Sequence, residues 1–333
     1  MLLKQNEWPG PILLALAAMV VASASQREAG FSVRRFAAES VQIEEESSEQ
    51  ATLVLPVALV VHNGEVFIAD SQDCAVKIFS KTGKFIRAVG RKGKGPGELW
   101  FPSGVSCRQG LLYIADKLNY RIQILERDGK HVGGFGLPFA PDKVLALAPD
   151  RILVTHNSMG HHGAEATLHV FSRLGALQWE GLSAGMSGDK VFDMFANAIL
   201  VNPGGRDDFY VIHKCEERSV LHFGLQGRTL ARIPIDERYA FKTMSLPTPG
   251  QRQVLRGFCW DSDFCQGRFY LLAPDETGEH DLGPGRTISV FSGAGRLESL
   301  IELPVRVAKF AVAGDRIYAV DDTNSLRIFR VAG

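Results

Sequence analysis

The sequence predicts an all-β chain folded as a six-bladed β-propeller of four-stranded antiparallel blades, its ring closed by an N-terminal strand. Three observations predict it. The first is a repeat: Val66-Phe67-Ile68-Ala69-Asp70 returns as Leu112-Tyr113-Ile114-Ala115-Asp116, and Ala88-Val89-Gly90 returns as Gly134-Phe135-Gly136, each 46 residues later. A fixed period of this length is the mark of stacked blades. The second is the count, since residues 50 to 333 hold about six such periods. The third is a mismatch at the ends. The last repeat stops one strand short, while the N-terminal region carries a strand with no assigned partner. Pairing the two removes two open sheet edges.

Each blade reads as short strands between turns. In the first repeat, about 54 to 90, the strands are Leu55 to Val61, Val66 to Asp70, Ala75 to Phe79 and Phe85 to Val89. Asn63-Gly64 is a hairpin turn, and Lys81-Thr82-Gly83-Lys84 is the turn before the last strand. The second repeat, about 101 to 136, copies this order. The third, about 143 to 180, has Ile152 to Thr155 and Leu168 to Phe171 as its middle strands. The fourth, about 190 to 235, has Phe209 to Ile212, Val220 to Phe223 and Thr229 to Ile233. The fifth, about 243 to 302, carries insertions at 245 to 253 and 274 to 286, with Thr287 to Phe291 as third strand. The sixth runs from 306 to 331. Phe31 to Phe36, or Val41 to Ile43, alternates as a half-buried strand does and is the expected closing strand.

Between the first two repeats lies Gly93-Lys94-Gly95-Pro96-Gly97-Glu98-Leu99-Trp100-Phe101-Pro102. With the strand ending in Ile-Ala-Asp, the run Asn119-Tyr120-Arg121-Ile122-Gln123-Ile124 and the turn Asp128-Gly129-Lys130, this segment resembles the NHL-repeat β-propellers. The resemblance covers residues 57 to 136 and returns at Ile317-Tyr318-Ala319-Val320-Asp321 and Leu326-Arg327-Ile328-Phe329. It implies a propeller that either binds a protein, peptide or glycan or, as in the peptidylglycine amide lyases, works with calcium and zinc in its channel.

Three segments are expected: a signal peptide over residues 1–24, a polar stretch over 25–50 holding the closing strand, and the propeller over 51–333. Pro11 to Ala24 is an apolar run too short for a comfortable membrane span. Ala22-Ser23-Ala24 is an A-x-A cleavage site followed by polar residues. The chain is therefore expected to be secreted or periplasmic, with no membrane insertion after cleavage, and monomeric. Lys plus Arg and Asp plus Glu are both 37 in the 333 residues, so the net charge is zero. That balance argues against non-specific nucleic-acid binding. Five cysteines exclude a dense disulfide framework, and Cys259 and Cys265 are spaced to bridge across a hairpin.

In a four-stranded antiparallel blade, the loop after the second strand and the loop between blades leave on one face. The long connections 91 to 102, 156 to 165, 245 to 253 and 274 to 286 all fall there, and such loops collect binding groups. The end of each second strand points to that face: Asp70, Asp116, His156, His213, Ala273 and Asp321. Two readings stand for this set. Carboxylates and imidazoles in a ring are ligands for a divalent metal, calcium or zinc, which would polarise a substrate or supply a hydroxide. Alternatively, an Asp after a strand caps the following turn with its own side chain. His161 and His162 stand near His156 in sequence. No nucleophile elbow, H-E-x-x-H helix, P-loop or dinucleotide fingerprint occurs. The function expected first is a binding or scaffold module acting through the loop-rich face, leaning away from an enzyme. The alternative is a metal-dependent lyase or hydrolase in the central channel.

Overall fold

A computed structural model describes residues 33–42, 48–148, 150–157, 166–183, 185, 187, 189–205, 207–248, 251–278 and 281–331. The chain divides into two units, residues 1–34 and 35–333. The expected signal peptide, Phe31, Ile43, His161 and His162 lie outside the described residues. The second unit is the propeller.

β1 spans Arg34–Ser40, and its place becomes clear only at the end of the chain. Blade one is β2 (Pro56–His62), β3 (Glu65–Asp70), β4 (Ala75–Ser80) and β5 (Phe85–Val89). Blade two is β6 (Pro102–Arg108), β7 (Leu111–Asp116), β8 (Arg121–Glu126) and β9 (His131–Gly136). Blade three is β10 (Lys143–Ala148), β11 (Arg151–Thr155), β12 (Ala166–Ser172) and β13 (Leu177–Ser183). A short helix, α1 (Lys190–Ala196), precedes blade four: β14 (Ile199–Pro203), β15 (Asp208–His213), β16 (Ser219–Gly224) and β17 (Thr229–Pro234). In each of these blades the strands pair antiparallel in chain order.

Two hairpins interrupt the fifth repeat. The first is β18 (Lys242–Thr248) with β19 (Gln251–Gly257). Blade five then starts with β20 (Asp261–Cys265) and β21 (Arg268–Leu272), gives out the second hairpin of β22 (Asp275–Gly278) and β23 (Asp281–Gly283), and resumes at β24 (Gly285–Ser292). β25 (Leu297–Ala313) is long enough to serve twice, as the outer strand of blade five and the inner strand of blade six. β26 (Arg316–Asp321) and β27 (Leu326–Val331) follow. The insertions thus fall where the sequence places them. Two starts move, however: residues 190–196 are helix rather than the head of blade four, and blade five begins at Asp261 rather than near 243.

The ring closes as the missing strand requires. β1 lies antiparallel on β27, with Ala38 opposite Val331 and Ser40 opposite Phe329, and Val41 N donates to Ile328 O at 2.8 Å. The closing strand shares Arg34–Phe36 with the first of the two expected segments and runs on to the edge of the second. Among its residues only Ala38 is buried. An outermost blade strand covers little apolar surface, so its hydrophobic pattern is faint.

The repeated strand is a continuous apolar run because both of its faces are covered. Phe67 and Ala69 pack toward blade two, against Val105, Leu112 and Ile114. Val66 and Ile68, pointing the opposite way, pack on Tyr318, Val320 and Ile328 of blade six. Tyr113 and Ala115 likewise meet Val144, Ile152 and Val154 of blade three. Alternate side chains of one strand therefore belong to two different cores. On the face opposite the loops, Asn63-Gly64 and Gln109-Gly110 close hairpins with φ positive at both residues, 50° and 76° in the first, 49° and 78° in the second. That is the turn whose twist matches the strands it joins.

Deleting residues 25–45 removes β1 and bares the β27 edge. The thermal midpoint should fall by roughly 5–10 °C, the shift a loss of 2–3 kcal/mol gives a domain of this size. An unchanged melt would show that β1 does not close the ring.

Candidate functional site

The first strand of each blade is the innermost. Six of them, β2, β6, β10, β14, β20 and the second half of β25, line a central channel of about 420 Å³. Each inner strand starts on the face where the between-blade connections arrive. That face carries α1, both inserted hairpins and the segment 90–101. The opposite face carries the tight turns. The functional question therefore concerns one face and the channel mouth within it.

The carboxylates expected at this face are engaged with the protein itself. Asp70 accepts the backbone N–H groups of Val54 and Leu55, both at 2.8 Å, and pairs with the buried Lys77 ammonium at 3.2 Å. Asp116 accepts from Trp100 N at 2.7 Å, Arg121 Nε at 2.7 Å and Asn119 Nδ2 at 2.9 Å. Asp321 accepts from Thr323 N and Ser325 N, both at 2.9 Å, and from Arg327 Nε at 2.6 Å. Burial alone would raise the Asp321 carboxyl, but these donors outweigh it and hold it below the usual range. In all three blades the acid pairs with a cation on the next strand; Asp321 caps its own turn, whereas Asp70 and Asp116 hold the backbone of the segment that enters their blade.

The two histidines are not brought together. His156 follows β11 and stacks on Phe139, ring centroids 4.8 Å apart, with His169 at 6.4 Å. His213 ends β15, one blade on, and lies 3.4 Å from Glu217. Burial, then the nearby Arg232, lowers its proton affinity. None of Asp70, Asp116, His156, His213 and Asp321 lines the channel. Among the described residues no three His, Cys, Asp or Glu side chains converge as a metal site.

The disulfide expectation is corrected. Cys259 and Cys265 are both free thiols. Cys259 is buried before β20 and donates to Asp261 O at 2.9 Å. Cys265 ends β20, about 13 Å beyond Asp261 at the rise of an extended strand. Bridged cysteines need Cα atoms within about 7 Å. The two belong to opposite ends of one strand, so they do not flank a hairpin.

The glycine-rich segment before blade two is a strut. The Arg121 guanidinium donates to Lys94 O at 2.8 Å, Gly95 O at 2.9 Å and Glu98 O at 2.8 Å. Glu98 accepts from Gly95 N at 2.9 Å, and Gln123 accepts from Gly97 N at 2.9 Å. These bonds fold the segment down onto blade two.

What the sequence did not single out is at the channel mouth. Lys143 opens β10, Lys309 stands near the start of the blade-six inner strand, and Lys214 follows β15. Lys143 and Lys309 line the channel. Lys143 Nζ donates to Val57 O and Ser103 O, both at 3.3 Å. Lys214 Nζ sits 4.9 Å from the Trp260 ring centre, a cation over a π face. Burial, with the charge of Lys309, pushes the Lys214 ammonium down to about 8, and Lys143 is also lowered by burial. Asp261 shares the mouth, but one of its oxygens is occupied by Phe310 N at 3.0 Å. Deeper in the channel, Asp263 accepts from Val312 N at 2.7 Å, and burial pushes its carboxyl up to about 6.

A second concavity, about 1040 Å³, runs from the same face along the junction of blades two and three. Phe139, His156, His169 and Phe171 form an aromatic wall, with Tyr120 and Leu177 at its edges. Tyr120 is 51% exposed, with a positive φ of 53°.

A family model described as a 6-bladed beta-propeller matches residues 43–139. No curated protein sequence matches the chain. Among solved structures, a putative exported protein from Bacteroides fragilis is similar at 10% identity and a TM-score of 0.57, covering 90% of this chain and 99% of that one. The RRP9 WD40 repeats are similar at 14% identity and a TM-score of 0.56, covering 90% and 100%. The WD40 propeller domain of Doa1 is similar at 10% identity and a TM-score of 0.50, covering 88% and 96%. At these identities the likeness is one of fold.

Two outcomes follow from the site. Asp116→Ala strands Arg121 and Trp100 N, and denaturant unfolding should show a loss of roughly 3–5 kcal/mol. The same change at exposed Asp128 should stay within about 0.5 kcal/mol. Lys214 has its proton affinity reduced from 10.5 to about 8 by folding. The unfolded chain therefore binds a proton between those values that the folded chain does not, and folding stability falls as pH drops through them. Lys214→Met should melt higher than wild type at pH 7, and the gap should narrow as pH rises toward 10.

Proposed function

We propose that this chain is an exported propeller of NHL type that serves as a binding module for a protein or peptide partner through its loop-rich face. The observation that carries this reading is the one-sidedness of the molecule. α1, the β18–β19 and β22–β23 hairpins and the 90–101 strut all rise from one end of a closed ring, and the other end is trimmed to turns. Exposed apolar side chains are found on both faces and on outer strands, Leu174 in a turn of the opposite face being the most exposed at 92%, but Val54, Leu55, Leu118, Tyr120 and Val254, all 38% exposed or more, stand together on connections or insertions of the loop-bearing face. Scattered single apolar residues are ordinary, whereas several on one loop-bearing face beside an aromatic groove suit a peptide. Propellers with similar folds include WD40 domains, which supports the binding reading at the level of architecture.

Export rests on the Pro11–Ala24 apolar run and the A-x-A site. The similarity to a putative exported protein agrees with it. No helix among the described residues is long and apolar enough to cross a membrane.

A peptide display library panned on immobilised protein tests the reading. Enrichment should occur on wild type, survive Leu230→Asp on an outer blade strand, and fall at least tenfold on Tyr120→Asp. No enrichment, or equal loss in both variants, would remove the loop face as the binding surface.

A further inference from the structure

We propose that the mouth of the central channel is a binding site for a small oxyanion, a carboxylate or phosphate group, held between Lys143, Lys214 and Lys309. This inference does not depend on the peptide reading. The three lysines come from blades three, four and six, and only the ring brings them together. Lys143 and Lys309 line the channel itself, and Lys214, outside the lining, holds its ammonium over the Trp260 ring next to Asp261 at the mouth. Their charges act on one another: Lys309 works against the Lys143 and Lys214 ammonium groups alike.

The local carboxylates offset them only in part: the charge of Asp142 acts on Lys143, and that of Asp261 acts on Lys143 and Lys214. Asp142 is paired with Lys117 at 3.4 Å. Asp261 and Asp263 each give an oxygen to a backbone N–H of blade six, Phe310 and Val312. Among the described residues, none of the three ammonium groups has a carboxylate within 4.0 Å, and neither Lys214 nor Lys309 makes a hydrogen bond to a protein acceptor. Like charges gathered in a narrow, low-dielectric mouth repel one another and focus a positive potential there. Donor hydrogens remain for a ligand, since among the described residues the protein acceptors of Lys143 are two carbonyls at 3.3 Å. An anion of one or two charges would both satisfy those donors and relieve the repulsion. The mouth is confined by six strands, so the ligand is small.

The test uses purified protein in sodium chloride at fixed ionic strength, titrated separately with inorganic phosphate and with succinate. At least one should give a saturable change in tryptophan fluorescence, reported by Trp260, together with a rise in thermal midpoint. The one that acts identifies the oxyanion. Lys309→Gln and Lys214→Met should each weaken the response at least tenfold, and Lys84→Gln, in a turn on the opposite face, should leave it unchanged. A response equal to that of added chloride, or equal in Lys309→Gln and Lys84→Gln, would overturn the site. Should the channel variants fold poorly, acetic anhydride labelling of wild-type protein read by mass spectrometry decides. Saturating phosphate or succinate should slow acetylation of Lys214 and Lys309 and spare the rate at Lys84. Equal rates with and without both anions would overturn the proposal.

Discussion

Every blade with the repeated motif turns on a buried carboxylate. Asp70, Asp116 and Asp321 are almost entirely removed from water, a position a charge tolerates only when paired and fully hydrogen-bonded. Each meets that condition with a cation from the next strand and backbone N–H groups of its own turn or of the segment entering its blade. In blades one and two the acid thus fixes the angle at which the chain arrives, and the arrival angle sets where the inner strand starts. The channel mouth is built from those starting points. In blades one and two the placing of the inner strand, and with it that part of the channel mouth, rests on this clamp.

The ring adds a second layer of order around the channel. Side chains on inner strands reach the backbone or side chains of the next blade: Ser106 accepts Ala146 N at 3.1 Å, Asn202 donates to Ser262 at 2.8 Å, and Asp261 and Asp263 accept from blade six. Blades are joined by apolar cores at mid-radius and by polar bonds at the axis. Gly104 shows how close the axis is: a Cβ there would lie 3.1 Å from both Lys143 Cα and Val144 N. Polar side chains in so tight a space are held by neighbours on both sides. Lys309, without such a partner among the described residues, is therefore conspicuous.

Blades one, two and six were legible in the sequence because their motif encodes a local physical device: an apolar strand, a terminal Asp and a cation a few residues on. Blades three to five keep the strands but lose the acid, with Thr155, His213 and Leu272 ending the corresponding strands. They could be placed by strand order alone, which is why the heads of blades four and five moved. The closing strand was legible as a need more than as a segment, since Ala38 is its one buried residue. The repeat-end acids and histidines drew attention as a set because they share a register, but that register belongs to second strands, away from the axis. The lysines went unread for the converse reason. Lys143, Lys214 and Lys309 occupy unlike positions in three blades, and no period links them. The available signal was a Lys at the head of otherwise apolar inner strands, Lys143 before Val144-Leu145-Ala146 and Lys309 before Phe310-Ala311-Val312.

The pairing of β1 with β27 has a consequence for how the molecule is made. β1 is completed by β27, which is synthesised nearly 300 residues after it. Until then Val66, Ile68 and Phe79 lack their cover from blade six. A contact so distant in sequence forms slowly, and the apolar flank it leaves bare is a surface on which an unfinished ring of one molecule can join that of another. The pairing that covers the β27 edge in the finished protein places its vulnerability in the interval before closure.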